Sequence, residues 1–229
     1  MSNAAWSAAG YVHQATGDVK ILRGSGAAKA VKPGDTFDAG STLTTSGNGN
    51  AVIKFEDGQV TRLQPNSTFQ VEQYRFSANN PKAGFSAMKL LQGAMRFVTG
   101  IIGATNHNNV RLTAGTATIG IRGSDLGIQP GSLAVFQGGA SVGGQNLGAG
   151  QFSSAPPGPA GAPAFSPPGP LAAAPAGISA TLNALVSTTI PQNTPVVVAS
   201  AANAVAAVAN AQAAAAQAAQ AAQAAQAAA

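Results

Sequence analysis

Hydrophobic and polar residues alternate along much of residues 11–152. The runs Ala51–Phe55 and Val60–Leu63 tend to place apolar and polar side chains on opposite sides, which is typical of half-buried β-strands. Asp57-Gly58 lies between these runs, and this dipeptide favours a type I′ turn, in which both central residues have positive φ. The pattern therefore predicts a β-hairpin.

Similar short runs recur, separated by turn signals rich in Gly, Pro, Asn and Asp. We predict further strands at Val19–Leu22, Thr68–Phe76, Ala94–Val98, Val110–Thr113, Thr116–Ile121 and Leu133–Phe136. Short strands at this spacing favour a sandwich, roll or barrel. We expect a mainly β domain of the sandwich or roll type over residues 11–152, after an N-terminal arm at 1–10.

The pattern changes after residue 152. Residues 153–177 are rich in Pro, Gly and Ala, and proline lacks an N–H donor and fixes φ, so we expect an extended linker outside any sheet or helix. Residues 178–229 form an Ala- and Gln-rich tail, in which Thr194-Pro195 predicts a helix start. The tail has two interpretations: a helix that packs against copies of itself or into a groove, or a low-complexity segment.

Charge is scarce and confined to the first part of the chain. Charged residues make up 8 % of the sequence, and none follows Asp125. A segment without charge cannot rely on charge repulsion for solubility, so we expect it to pack or assemble, or to stay polar through Ser, Asn, Gln and backbone groups. The net charge of +5 comes from interspersed residues without a basic stripe, which argues against nucleic-acid binding. No apolar run is suited to spanning a membrane.

The sequence offers no pattern typical of an active site. The chain has no Cys, and neither of its histidines, His13 and His107, has a carboxylate or a second His nearby in sequence. Most acidic residues occupy turn positions, where their side chains bond to the backbone. Glu56-Asp57 offers two carboxylates for a weak cation site, but a turn role fits the pair better. We therefore predict a protein that is not an enzyme and has no catalytic, metal or cofactor residues.

Thr116–Ser124 is the most distinctive stretch. Gly120 and Gly123 bracket Arg122 within a strand-like run, and glycine there indicates a bulge or the close approach of another backbone. Arg122 is expected to brace this region through backbone carbonyls or a carboxylate such as Asp125 or Asp35; the alternative is contact with a ligand or partner. The candidate structural or interaction residues are Asp57, Gly58, Gly120, Arg122, Gly123 and Ser124.

An ordered set of short motifs resembles the FecR domain, which is named for a ferric-citrate signalling regulator. The motifs are Gly17–Val19, Pro33–Asp35, Gly40–Thr45, Ala51–Phe55 with Asp57-Gly58, Leu63–Ser67, Leu91–Gly93 and Ala117–Ser124. Ser124 stands where Thr is commoner in the family. The resemblance implies an all-β envelope domain that works by protein contact. The sequence shows none of the cytoplasmic or membrane segments of family members that control sigma factors, so only the fold carries over.

Two functions follow as hypotheses. The first is a structural or interaction protein of the cell envelope or extracellular space, self-assembling through sheet edges or the tail as a homo-oligomer. The second is a soluble periplasmic sensor or regulatory module that binds an envelope protein. A third, carbohydrate or peptidoglycan binding, would need exposed aromatic side chains from among Trp6, Tyr11 and Tyr74. We expect a periplasmic or extracellular location, although Met1–Gly10 does not form a secretory signal.

Overall fold

The structure is a computed structural model that describes residues 8–155, 165–174, 180, 181, 184 and 185. Most of these residues form β-strands. The strands are β1 Gly10–Thr16, β2 Val19–Arg23, β3 Lys29–Ala30, β4 Thr36–Phe37, β5 Ser41–Thr45, β6 Asn50–Phe55, β7 Val60–Leu63, β8 Thr68–Arg75, β9 Phe85–Gln92, β10 Met95–Val98, β11 Val110–Ala114, β12 Ala117–Gln129, β13 Ser132–Val142, β14 Gln145–Gly148, β15 Gln151–Ser154 and β16 Gly169–Pro170. A short helix, α1, spans Ile101–Thr105, and single 3₁₀ turns lie at Pro81–Ala83, His107–Asn109 and Leu171–Ala173. The prediction of a mainly β protein is confirmed.

The strands form one curled sheet. Its main path runs β3-β2-β5-β8-β9-β11-β12-β10-β7-β6-β1-β4, and β13 leaves it from β12 to pair with β14 and β15. Every strand pair is antiparallel except β9 with β11. The first part of β12 pairs with β11, and its last part pairs with β10. One long strand therefore joins the two halves of the sheet.

The core lies between these two halves. Phe37 and Phe55, from β4 and β6, are 5.0 Å apart between ring centroids, and Phe55 lies 5.3 Å from Tyr74 of β8 in the other half. Phe69, Phe97, Met88, Leu90 and Leu112 are buried in the same cluster. Because side chains alternate along a strand, the residues between these face the outside of the curled sheet.

The predicted hairpin at 51–63 is confirmed, but its turn is of another type. β6 and β7 pair in antiparallel register. Phe55 N–H donates to the Gln59 carbonyl at 2.9 Å, and Gly58 N–H donates to the Phe55 carbonyl at 3.0 Å. Gly58 has φ of +81°, whereas Asp57 is not left-handed. The turn is therefore a type I turn followed by a left-handed glycine, and not type I′.

Part of the predicted linker packs onto the sheet. Gly169 and Pro170 pair with Phe152 and Gln151 of β15, so the prediction that this proline-rich segment stays outside any ladder was wrong here. Proline is tolerated because β16 is an edge strand. Phe165 is buried in the main core. Residues 156–164, the N-terminal arm up to residue 7 and the predicted helix from residue 196 onward lie outside the described residues.

No helix in the described part of the chain is both long enough and apolar enough to cross a membrane.

Candidate protein-interaction site

Asp57 is buried and connects the β6–β7 hairpin to α1 through hydrogen bonds. Its N–H donates to the Tyr74 hydroxyl at 2.9 Å, and that hydroxyl lies 3.2 Å from Asp57 Oδ1. The carboxylate also accepts the N–H groups of Gln59, at 3.2 Å, and Ile102, at 3.3 Å. These bonds fix the backbone of Asp57 and account for the turn type. Since Asp57 is only 1 % exposed, the Glu56-Asp57 pair has no accessible Asp57 oxygen for a cation.

Burial changes the acid–base properties of this pair. Burial raises the pKa of the Asp57 carboxyl, and the hydrogen bonds from Gln59, Ile102 and Tyr74 oppose that shift. Burial and then the Asp57 charge raise the pKa of the Tyr74 hydroxyl beyond its ordinary range. Tyr74 is therefore a neutral donor inside the fold and is not available on the surface for stacking against a carbohydrate.

Gly123 and Ser124 form a bulge at which β12 changes partners. The β12–β13 register shifts between Arg122 and Asp125, and Gly123 has φ of +62°. Gly138 stands opposite with φ of +75°, and a Cβ on it would overlap the Gly123 carbonyl oxygen. The close approach of two backbones therefore requires glycine here.

Side-chain hydrogen bonds hold this bulge. The Ser124 hydroxyl accepts the Arg122 N–H at 3.1 Å and donates to the Gly139 carbonyl. Ser124 N–H donates to Thr99 Oγ1 at 2.8 Å, which ties the bulge to the end of β10. Gly120 lies earlier in β12, where a Cβ would overlap the hydroxyl of Ser141. The hydroxyl of Ser124 thus supports the backbone.

The Arg122 side chain does not brace Asp125. Arg122 is exposed, whereas Asp125 is 2 % exposed and pairs with Arg96. Arg96 Nε lies 2.9 Å from Asp125 Oδ1, and Nη2 lies 2.6 Å from Oδ2. The bulge separates Arg122 from Asp125, and β10 brings Arg96 alongside instead. One feature of the sequence does indicate a buried ion pair at this place. Arg96 is a charged residue inside the otherwise apolar run Met95–Val98, and all four residues of this run are buried.

Arg96 belongs to a row of residues that crosses the outside of the sheet. Strand registers align one residue from each of seven strands: Val52, Arg62, Arg96, Gly127, Ala134, Phe152 and Gly169. We call this set the outer row. Gly127 and Ala134 are small, so the row dips between Arg96 and Phe152. This dip is an outer groove in the sheet.

Residues 180, 181, 184 and 185, which we call the C-terminal segment, lie along the outer groove. Leu185 is fully buried in a cluster with Ala134, Phe136, Phe152 and Leu171. The Leu185 carbonyl accepts a hydrogen bond from Arg96 Nη1 at 3.2 Å. The Arg96 guanidinium also lies 5.4 Å from the centre of the Phe136 ring, within range of a cation–π interaction. Among the described contacts, the groove therefore holds Leu185 through its aliphatic side chain and its backbone carbonyl.

Arg62 lies beside Arg96 in the outer row. Its Nε atom is buried without a hydrogen-bond partner, as is Nε2 of Gln64 two residues later. Burial lowers the pKa of the Arg62 guanidinium, and the positive charge of Arg96 lowers it further. Within the described part of the chain, no carboxylate forms an ion pair with Arg62.

An open cavity continues the groove past Gln64. It has a volume of about 730 Å³ and is lined by Gln64, Leu91, Thr181 and Ala184 among others. Leu91 is 45 % exposed, one of the most exposed large apolar side chains in the described residues. The groove and the cavity together form the candidate interaction site.

A comparison with family models identifies the domain. The model described as FecR protein matches residues 41–141, which run from β5 into β13. No curated protein and no solved structure matches the chain. The matched range contains the Asp57 hairpin, the Ser124 bulge, the Arg96–Asp125 pair and Arg62. The resemblance drawn from the motifs is therefore confirmed for residues 41–141, which form a domain similar to the FecR family.

Proposed function

We propose that this protein is a non-catalytic sensor or regulatory module that acts outside the cytoplasm by binding another protein. The observation that carries the proposal is the FecR match over residues 41–141. This favours the second of the two functions considered from the sequence.

The outer groove supports a role in protein binding. It holds a segment of its own chain through Leu185 and through a backbone carbonyl, both of which another polypeptide can also supply. Exposed Leu91 extends the apolar surface beyond the part that this segment covers.

The buried carboxylates of the described residues, Asp57 and Asp125, have structural partners, which supports a role without catalysis. Asp57 and Tyr74 bond to each other, Arg96 pairs with Asp125, and Ser124 holds the bulge. A general acid or base needs a group that reaches a substrate.

Self-assembly through sheet edges is less well supported. Among the described residues, the path of the sheet ends in β3 and β4, and β14 and β16 form further edges; β14 has four residues and each of the others has two. Such short edges offer few unpaired backbone groups to another chain, which is one way in which proteins prevent edge-to-edge association.

Photocrosslinking in the native cell tests the proposal. A photoreactive phenylalanine analogue replaces Leu91 at the site, or Tyr11, which is 41 % exposed and lies on β1, as the control. We expect an adduct with a different protein at Leu91 only. An adduct with a second copy of the chain would favour the assembly hypothesis instead.

Gene deletion tests the regulatory part. We expect the deletion to change the transcript levels of a small set of genes, and the intact gene to restore them. Unchanged transcripts together with no adduct would contradict the proposed function.

A further inference from the structure

We propose that the outer groove binds an acidic segment of the partner protein, and that the chain's own C-terminal segment occupies the groove when the partner is absent. The existence of a partner rests on the proposed function; the chemistry of the groove rests on the residues described below.

The groove carries positive charge without a matching negative charge. Arg62 and Arg96 are directly opposite each other on β7 and β10, and neighbouring strands lie only about 4.8 Å apart. Like charges placed opposite each other in this way are unfavourable. Asp125 is engaged by Arg96 through both of its oxygens. Arg62 therefore has no counter-ion among the described residues.

The same place has hydrogen-bond donors without acceptors. Arg62 Nε and Gln64 Nε2 are buried and unpartnered. Buried donors almost always have a partner in folded proteins, so two of them close together indicate a missing acceptor. A carboxylate has only acceptor atoms and matches the fork of an arginine, which makes it the side chain best suited to this position.

The C-terminal segment cannot supply that carboxylate. No Asp or Glu follows Asp125 anywhere in the sequence. The segment brings Leu185 and its carbonyl to Arg96 but no side-chain charge for Arg62. A partner segment with an Asp or Glu next to an aliphatic residue would reproduce both contacts and add the missing one. A second copy of this tail would lack the carboxylate, so the same argument disfavours it as the occupant.

Binding of matched peptides to the full-length protein tests the inference. The probes are two fluorescein-labelled peptides that copy residues 180–189 and carry either Asp or Asn in place of Ala184. These residues have the same shape and differ in charge. We expect the Asp peptide to bind about tenfold more tightly, by fluorescence anisotropy at low salt, since a charge-assisted hydrogen bond is the added contact.

Arginine variants show whether that preference arises in the groove. R62M removes the charge and keeps an aliphatic stem, and we expect it to abolish the preference for Asp. R122M removes an exposed arginine elsewhere on β12 and should keep it. Equal affinities of the two peptides, no measurable binding of either, or a preference unchanged in R62M would overturn the inference.

A second measurement needs no arginine variant. Ala184 is exposed and lines the cavity beside Gln64. The variants A184D and A184N of the full-length chain therefore place the Asp or Asn of the two peptides at the same position of the protein itself. We expect A184D to melt about 3 °C above A184N at low salt, with the difference lost in 1 M salt, where charges are screened. Equal melting temperatures would overturn the inference even if R62M failed to fold.

The outcomes separate this inference from the proposed function. A preference for the Asp peptide without any change in transcripts on deletion would support the groove chemistry and reject the regulatory role. Changed transcripts without a preference for the Asp peptide would support the regulatory role and reject the groove chemistry. A ten-nucleotide single-stranded DNA that bound as tightly as the Asp peptide would overturn the assignment to a protein partner.

Discussion

Arg96 is buried between a carboxylate, a peptide carbonyl and an aromatic ring. Asp125, the Leu185 carbonyl and Phe136 each contact its guanidinium. Asp125 and Phe136 belong to the β12–β13 hairpin and Leu185 to the C-terminal segment, so this side chain connects both of them to β10. Its loss would leave Asp125 charged and enclosed.

We expect R96M to destabilise the protein by about 3–5 kcal/mol, because it leaves an uncompensated buried carboxylate. R122M, at an exposed arginine, should change stability by no more than about 0.5 kcal/mol. Urea unfolding measures both. The double variant R96M/D125L should recover much of the loss, and a double variant as unstable as R96M would show that the buried charge is not the cause.

Asp57 gives the stability a pH dependence of defined sign. Burial raises the pKa of this carboxyl in the folded state, so the folded protein holds the proton more tightly than the unfolded chain does. The resulting stabilisation is fully present below the ordinary Asp pKa of about 4 and is lost as the pH rises through the folded-state value.

We therefore expect the stability of the natural protein relative to D57N to be greatest near the acid end of the range and to fall towards neutral pH. Urea unfolding of both proteins in steps from about pH 3.5 to pH 7 would show this, starting just below the ordinary Asp pKa. A gap that widened as the pH rises would mean that the hydrogen bonds to the carboxylate outweigh its burial.

At the scale of elements, the bulge in β12 determines the shape of the sheet. Gly123 and Gly138 face each other there, and Ser124 holds the turned backbone. On either side of this point β12 pairs with different strands, so the bulge must form for the two halves to close on each other.

We expect G138A to cost more stability than G144A. Both glycines are left-handed, with φ of +75° and +79°, so alanine is strained by about 1–2 kcal/mol at either position. Only at Gly138 would the added Cβ overlap another backbone, at Gly123; Gly144 has open space around it. G138A should cost about 1–3 kcal/mol more than G144A in urea unfolding. Equal losses would show that the bulge can relax.

The sequence predicted strands well where an alternating apolar run is bounded by turn residues. Val19–Leu22 and Val110–Thr113 correspond to β2 and β11 within one residue. β12 was predicted too short because it continues through Gly123 and Gly127, where pairing with β10 and β13 overrides local propensity. β9 was not predicted, since its buried residues do not alternate strictly.

The site was less predictable than the fold. The motif around Arg122 drew attention to β12, but the buried arginine is Arg96, 29 positions from Asp125 and 89 from Leu185. Such pairs depend on strand register across the sheet, which periodicity within one segment does not reveal. Nothing in the sequence distinguishes Arg62 and Gln64. Only the structure shows that Arg62 Nε and Gln64 Nε2 are buried without hydrogen-bond partners.

At the scale of the molecule, described residues that follow Ala155 complete the fold by covering both faces of the sheet. Phe165 enters the main core, whereas Leu171 and Leu185 cover Phe136 and Phe152 on the outside. The β domain predicted to end at residue 152 therefore leaves apolar side chains uncovered without the residues that follow.

We expect truncation after Ala155 to lower the melting temperature by more than about 8 °C, because three buried apolar side chains contribute about 1.5–3 kcal/mol each. The truncated protein should also bind a dye for exposed apolar surface. Truncation after Thr189 keeps all three side chains and serves as the control. An unchanged melting temperature without dye binding would show that residues 11–152 are self-sufficient.

The shared strand β12 is also required before the two halves of the sheet can join. Residues 117–129 follow β10 and β11 in sequence and pair with both, so neither half of the sheet has its closing neighbour until this strand is present. The pairing of β12 with β10, which joins Met95 to Ile128, closes a longer loop than the β11–β12 hairpin does, and less local pairings slow folding because the loop must close first. A polypeptide stopped before β12 would expose two open edges, at β10 and at β11, and would lack the strand that joins them into one sheet.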